Sequence, residues 1–160
     1  MADTRPDNPG VIASPPLIAL GCIALGLLLD WVYPSPAVPA DMSPALRYTI
    51  GGVVFGLGVA LVATAIGLFK KAGTNFRTEK ASTVLITDGF YRYSRNPIYI
   101  GLTTAYIGVG IVANSLWVLA LVFLFVGLIR YGVIAREERY LEAKFGDAYC
   151  QYTIRVRRWF

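Results

Sequence analysis

Four stretches of the chain are apolar almost without interruption. They run from 15 to 33 ("PPLIALGCIALGLLLDWVY"), 46 to 69 ("LRYTIGGVVFGLGVALVATAIGLF"), 97 to 113 ("PIYIGLTTAYIGVGIVA") and 115 to 135 ("SLWVLALVFLFVGLIRYGVIA"). A bilayer is crossed by about 20 apolar residues, with a range near 17–25. The second and fourth stretches meet that length easily; the first and third sit at its short end. The third and fourth adjoin at Asn114–Ser115, so 97–135 reads as a tight transmembrane hairpin that turns there. The pattern predicts an all-α integral membrane protein with about four transmembrane helices.

The polar intervals refine this picture. "KKAGTNFRTEKASTVLITDGFYRYSRN" is too long for a plain connector, because structureless loops beyond about 12–15 residues are usually functional or disordered. Val84, Leu85, Ile86, Phe90 and its tyrosines argue against disorder, and Gly73 and Gly89 offer tight turns. Asn96-Pro97 pairs a preferred N-cap with a preferred first helical residue, so the third span is expected to begin there. Past 135 the fourth span continues into a polar helix, "REERYLEAKFG", with Glu137, Leu141 and Phe145 on one face and Gly146 as its stop. Asp147 is expected to cap a short final helix, and the basic, aromatic end suits the headgroup region. "MADTRPDNPG" lacks the basic segment and cleavage site of a signal peptide and reads as a short mobile tail.

Composition agrees with a membrane protein. Of 160 residues, 56% are hydrophobic, and the mean hydropathy is +0.55. There is no histidine, which excludes histidine metal sites, Ser-His and Cys-His triads and an imidazole base. Cys22 lies in an apolar run and Cys150 in the polar end, so neither a disulfide nor a thiolate metal site is expected. The net charge of +5 matters through its placement. Lys70, Lys71, Arg77, Lys80, Arg92 and Arg95 precede the third span, and Arg136, Arg139, Lys144, Arg155, Arg157 and Arg158 follow the fourth. Four crossings put both groups on one face, while the other face holds only Arg47. Both termini are therefore expected in the cytoplasm, and topology alone accounts for most of these cations. Asp30, followed by Trp31 and Tyr33, is expected at an exposed helix end. Gly51, Gly52, Gly56 and Gly58 are expected to form a small-residue packing face.

The hairpin brings two chemical features to the same face. One is the Arg95-Asn96-Pro97 helix start, whose N–H groups and dipole suit a carboxylate. The other is the Glu137–Glu138 pair. Each has a plain structural account: a cap with an interfacial anchor, and a solvated helix face in which Arg136 and Arg139 flank the glutamates. Their convergence by topology is what points to a site.

"LITDGFYRYSRNPIYIG", followed after a hairpin by "EERYLEAKFGDAYCQYTIRVRRW", resembles the isoprenylcysteine carboxyl methyltransferase family and the related membrane phospholipid methyltransferases. The likeness covers about residues 70–160; the first two spans match only as hydrophobic helices. It implies a single membrane methyltransferase domain over 1–160, made of a flexible tail (1–14), two N-terminal spans (15–69) and a cofactor-binding core (70–160) with its cytoplasmic loop and C-terminal helix. The implied cofactor is S-adenosylmethionine. By resemblance Arg95, Asn96, Pro97, Tyr99 and Gly101 stand at the cofactor-binding helix start, and Glu137 and Glu138 at the paired glutamates. Leu85, Gly89 and Tyr91 would line the adenosine side, and Arg155 matches an arginine near the acceptor. Glu137, Arg95 and Arg155 are the residues expected to act in catalysis, with no metal. Where the carboxyl methyltransferases carry histidine this chain has Asn96, as the phospholipid branch does.

The expected acceptor is a lipophilic small molecule or lipid delivered through the bilayer of a prokaryotic inner membrane, with no nucleic-acid partner. A carboxylate or thiolate acceptor needs no base; an amine would require Glu137, Glu138 or a tyrosine to take its proton. Competing readings are a phospholipid (ethanolamine) N-methyltransferase or thiol S-methyltransferase, an NADPH-dependent sterol-type membrane reductase, and a non-enzymatic membrane protein.

Overall fold

The computed structural model describes residues 9–74 and 83–159. Arg77 and Lys80 of the basic loop lie outside them. Six α-helices follow in order: α1 (Pro15–Val32), α2 (Pro44–Lys71), α3 (Pro97–Ala113), α4 (Leu116–Ile129), α5 (Ala135–Phe145) and α6 (Asp147–Arg155). A 3-10 turn, Gly89–Arg92, precedes α3, and a π turn, Arg130–Ile134, joins α4 to α5 without a break. The four apolar stretches thus become helices with ends close to those read from the pattern. Three, Pro15–Val32, Pro44–Lys71 and Leu116–Phe145, are long and apolar enough to cross a membrane. α3 has 17 residues, about 26 Å of rise, a little short of a roughly 30 Å hydrocarbon core.

Local chemistry sets the ends. Ser43 Oγ accepts from Leu46 N (3.2 Å) and Pro44 opens α2. The hairpin turns at Asn114, which is left-handed (φ 55°). Its Oδ1 accepts from Ala37 N and Val38 N, both at 3.1 Å, so the α1–α2 connection is tied to the α3–α4 turn. Asp30, near the end of α1, accepts from Ser35 N at 3.2 Å. Gly146 (φ 51°) ends α5, and Asp147 is the first residue of α6 rather than its cap.

Packing relies on small residues. A Cβ on Gly58 would lie 2.5 Å from Gly101 O, and one on Gly108 2.8 Å from Gly51 O. Two glycine pairs, seven residues apart on each helix, thus bring the backbones of α2 and α3 together. Gly52 and Gly56, expected on the same face, instead meet nothing within 4 Å. Their helical angle turns them away from the α2–α3 seam. α1 rests on α4, where Gly26 abuts Val118 Cα. Inside, Tyr106 stacks on Phe125 (5.3 Å, 12°) beside Cys22, Val118 and Ile129. Leu17, Leu20, Leu28, Leu57 and Phe123 stay exposed, which suits a surface facing lipid.

Residues 9–14, placed by the sequence in a mobile tail, lie along the bundle. Ile12 N donates to Gly132 O, Arg136 Nη1 donates to Gly10 O at 2.6 Å, and Val11 packs on the core.

Candidate functional site

At the end of the bundle where α2 stops and α3 starts, a cavity of about 510 Å³ opens. Val62, Ile66 and Phe69 of α2 form one wall, and Ile98, Tyr99 and Leu102 of α3 the floor. Val84–Ile86 and Tyr91 close it from the loop, Glu137, Glu138 and Leu141 from α5, and Tyr149 and Tyr152 from α6.

The loop folds inward because of its two turn glycines. Gly73 (φ 65°) ends α2, and Thr83 N donates to Thr74 Oγ1 (2.8 Å), pinching the loop closed at its base. Gly89 (φ 59°) starts the 3-10 turn, which delivers Tyr91 edge-on to Phe69, ring centroids 5.6 Å apart. The Tyr152 hydroxyl then donates to Tyr91 O at 2.7 Å, which fastens α6 to the loop.

The helix start differs from a simple cap. Asn96 makes no side-chain bond to the first turn of α3; its Nδ2 donates to Arg158 O at 3.0 Å. Ser94 Oγ donates to the same carbonyl, and Arg95 N to Arg157 O. The C-terminal segment is therefore laced to the start of α3. Arg158 continues the link, donating through Nε (2.8 Å) and Nη2 (2.6 Å) to the two oxygens of Glu138. Arg95 Nη1 lies 3.4 Å from Glu138 as well. Such a two-pronged pair is geometrically specific, and Glu138 is thereby committed to two guanidinium groups. Arg136 and Arg139, which flank the glutamates in sequence, turn to the carbonyls of Gly10 and Ala135.

Glu137 has different surroundings. One oxygen accepts from the Tyr99 hydroxyl at 2.7 Å. Burial pushes its carboxyl from 4.5 up to about 7; the Tyr99 bond opposes the rise and neighbouring Glu138 adds to it. Burial, with Glu138 next, lifts the Tyr149 phenol to about 12 against the pull of Arg95. Burial also raises Tyr91 and Tyr152 far above the phenol range. These tyrosines stay neutral at physiological pH and offer rings and hydroxyl donors, not bases. Glu137 combines a carboxyl raised to about 7 with a place on the cavity wall.

Of the residues singled out by sequence, Leu85, Tyr91, Arg95, Asn96, Tyr99, Glu137 and Glu138 line the cavity together. Pro97 is buried as the first residue of α3, Gly101 is in the α2–α3 contact, and Gly89 serves the turn against Leu68. Arg155 lies outside the cavity lining and is exposed, its Nε turned to Gln151 O. Arg158 occupies the position of influence instead. "RVRR" offers three arginines, and only the path of the chain after α6 selects among them. Tyr149 and Tyr152, spaced i, i+3 on α6, were also missed; that spacing was their available signal. Among the described residues no cluster suits a metal ion.

Comparison with known proteins bears on this arrangement. A protein of Haemophilus influenzae described only as an uncharacterized protein is 53% identical over 47 residues, which is 29% of this chain and 71% of that one. The family model described as Phospholipid methyltransferase matches residues 46–148, from the first turn of α2 to the first turn of α6. That region contains Arg95, Asn96, Tyr99, Glu137 and Glu138, and with it the polar end of the cavity. The chain belongs to the phospholipid methyltransferase family and carries its membrane methyltransferase domain.

Proposed function

We propose that this protein transfers the methyl group of S-adenosylmethionine to a lipophilic acceptor that reaches the cavity from the bilayer, with both termini on the cytoplasmic side of a prokaryotic inner membrane. The observation that carries the reading is the Tyr99–Glu137 pair set beside Arg95 in one cavity. The residues fit the cofactor. Glu137 suits its ammonium. The Arg95 guanidinium suits its carboxylate, and the buried Nε of Arg95 has no hydrogen-bond partner among the described residues. The neutral rings of Tyr91 and Tyr149 suit a sulfonium, a contact worth roughly 0.5–2 kcal/mol. Bound, the cofactor supplies an electrophilic methyl carbon. The chain contributes position: aligning donor and acceptor can remove on the order of 7–11 kcal/mol from such a barrier. Glu138, held by Arg158, keeps Arg95 oriented.

An amine acceptor, such as a phospholipid headgroup, is the variant in which Glu137, in place of holding the cofactor ammonium, takes the proton that the amine must lose. Family membership supports methyl transfer over the reductase and the non-enzymatic readings. Two measurements test the proposal. Calorimetry with S-adenosylhomocysteine should show binding to the wild type and much weaker binding to Glu137→Gln. Membranes given methyl-labelled cofactor should place the label in lipid, base-labile ester or volatile thioether, which identifies the acceptor. Absence of cofactor binding by intact protein would overturn the reading.

A further inference from the structure

Part of the cavity lining is apolar and is not explained by the polar residues. Pro9, Ser14, Pro15 and Pro16 line the cavity together with Val62, Ile66 and Leu102. The strap 9–16 lies outside the family match, which begins at residue 46. Three of its four wall residues are prolines, which have no backbone N–H. The wall therefore offers almost no donors to a headgroup and suits hydrocarbon. Pro15 and Pro16 open α1 and Val62 and Ile66 belong to α2, so this part of the lining is shared by two helices that also expose Leu17, Leu20 and Leu57. About 510 Å³ is room for one drug-sized ligand, since such pockets run about 300–1,000 Å³. A cofactor and a whole lipid do not fit together, so a lipid acceptor must leave its chain between the helices.

The strap is held by the π turn. Gly132 presents its carbonyl to Ile12 N, and a Cβ there would collide with Ile12 Cδ1, so glycine makes room for the strap. Arg136, one turn on, holds Gly10 O. π turns inside helices recur at functional sites.

We propose that the strap Pro9–Pro16 is the acceptor-side wall of the cavity, seating a hydrocarbon chain of a bilayer lipid against Pro15, Ile66 and Leu102, with Gly132 as its positioning residue. The assignment of this part of the lining to the acceptor rests on the methyl-transfer reading above.

The test uses full-length protein in nanodiscs containing phosphatidylethanolamine with a diazirine in its acyl chain. After illumination, cross-links should map to residues 9–16 and to the peptide containing Leu102. Gly132→Ala, whose Cβ must displace the Ile12 side chain, should lower strap cross-linking, and adding Ile12→Ala should restore it. Leu102→Trp, which fills the seat, should also remove strap cross-links while labelling at Leu20 and Leu28 persists. An unlabelled strap, or one labelled equally in all variants, overturns the proposal, the latter because it reports annular lipid only. Calorimetry with S-adenosylhomocysteine on the same samples reads the cofactor site separately. A labelled strap in protein that binds no cofactor would leave the wall standing and remove the methyl-transfer reading.

Discussion

Replacing Glu137 by glutamine removes a charge while keeping the shape of the side chain and an acceptor for the Tyr99 hydroxyl. The wild-type carboxyl titrates at about 7, so its ionised fraction falls from about nine-tenths at pH 8 to about one-tenth at pH 6. If the ionised form holds the ligand ammonium, affinity for S-adenosylhomocysteine should fall about tenfold over that interval, or about 1.4 kcal/mol. A hydrogen bond to a charged group contributes about 1.5–3 kcal/mol, so Glu137→Gln should bind roughly 10- to 150-fold more weakly at pH 8. At pH 6 that difference should shrink about tenfold, to roughly 1- to 15-fold. The ligand's own amino group titrates identically in both experiments, so the ratio of the two affinities isolates Glu137. Calorimetry at pH 6, 7 and 8 reads it, and a ratio that does not change with pH would refute the reasoning. Unfolding of the ligand-free protein gives a second reading with the opposite sign. The folded-state carboxyl titrates above its unfolded value of 4.5, so its contribution is fully present below about pH 4.5 and is lost as pH rises through 7. Glu137→Gln should lack that slope.

Other expectations follow from packing and charge. Gly58→Ala drives a Cβ against Gly101 O and Ala105 Cα and should destabilise the protein by about 1–3 kcal/mol, whereas Gly52→Ala, with open space around it, should be neutral; thermal unfolding in detergent separates them. Arg158→Ala leaves Glu138 without its bidentate partner and should weaken cofactor binding by roughly tenfold, about the loss of one charged hydrogen bond. Arg155→Ala should stay within about 0.5 kcal/mol of wild type in stability, as exposed substitutions usually do, with unchanged cofactor affinity. Asn114→Ala loses two backbone partners and puts alanine at φ 55°; it should lower stability by about 1–3 kcal/mol in the same unfolding assay.

The helical spans were legible because apolar runs of membrane length carry their own signal, and the Asn114 and Gly146 stops were legible from residue type. The convergence of Arg95 with Glu137 and Glu138 followed from counting crossings. What pairing each would make did not. Glu137 and Glu138 are adjacent and chemically identical in sequence, yet helix rotation aims one at Tyr99 and the other at Arg158. The seven-residue spacing of Gly51 with Gly58 and of Gly101 with Gly108 was present in the sequence, but the run Gly51, Gly52, Gly56, Gly58 masked which two face inward. The strap's docking depends on a π turn, whose i→i+5 bonding has no residue signature beyond Gly132. Asn96 kept its place at the helix start, but its Nδ2 donates to Arg158 O and its side chain accepts nothing from the first turn.

The backbone contact between α2 and α3 also has a mechanical meaning. Where two helices touch through glycines, no layer of side chains lies between them to deform or change rotamer. The pair behaves as one stiff plate, and shear along it would require backbone atoms to climb over one another. α1, by contrast, meets α4 through side chains, Ala19 and Cys22 sharing a core with Val118 and Phe125, as well as through Gly26. Any adjustment to a bulky molecule arriving from the side therefore falls to that interface, where rotamers can change, with the plate as the fixed jaw.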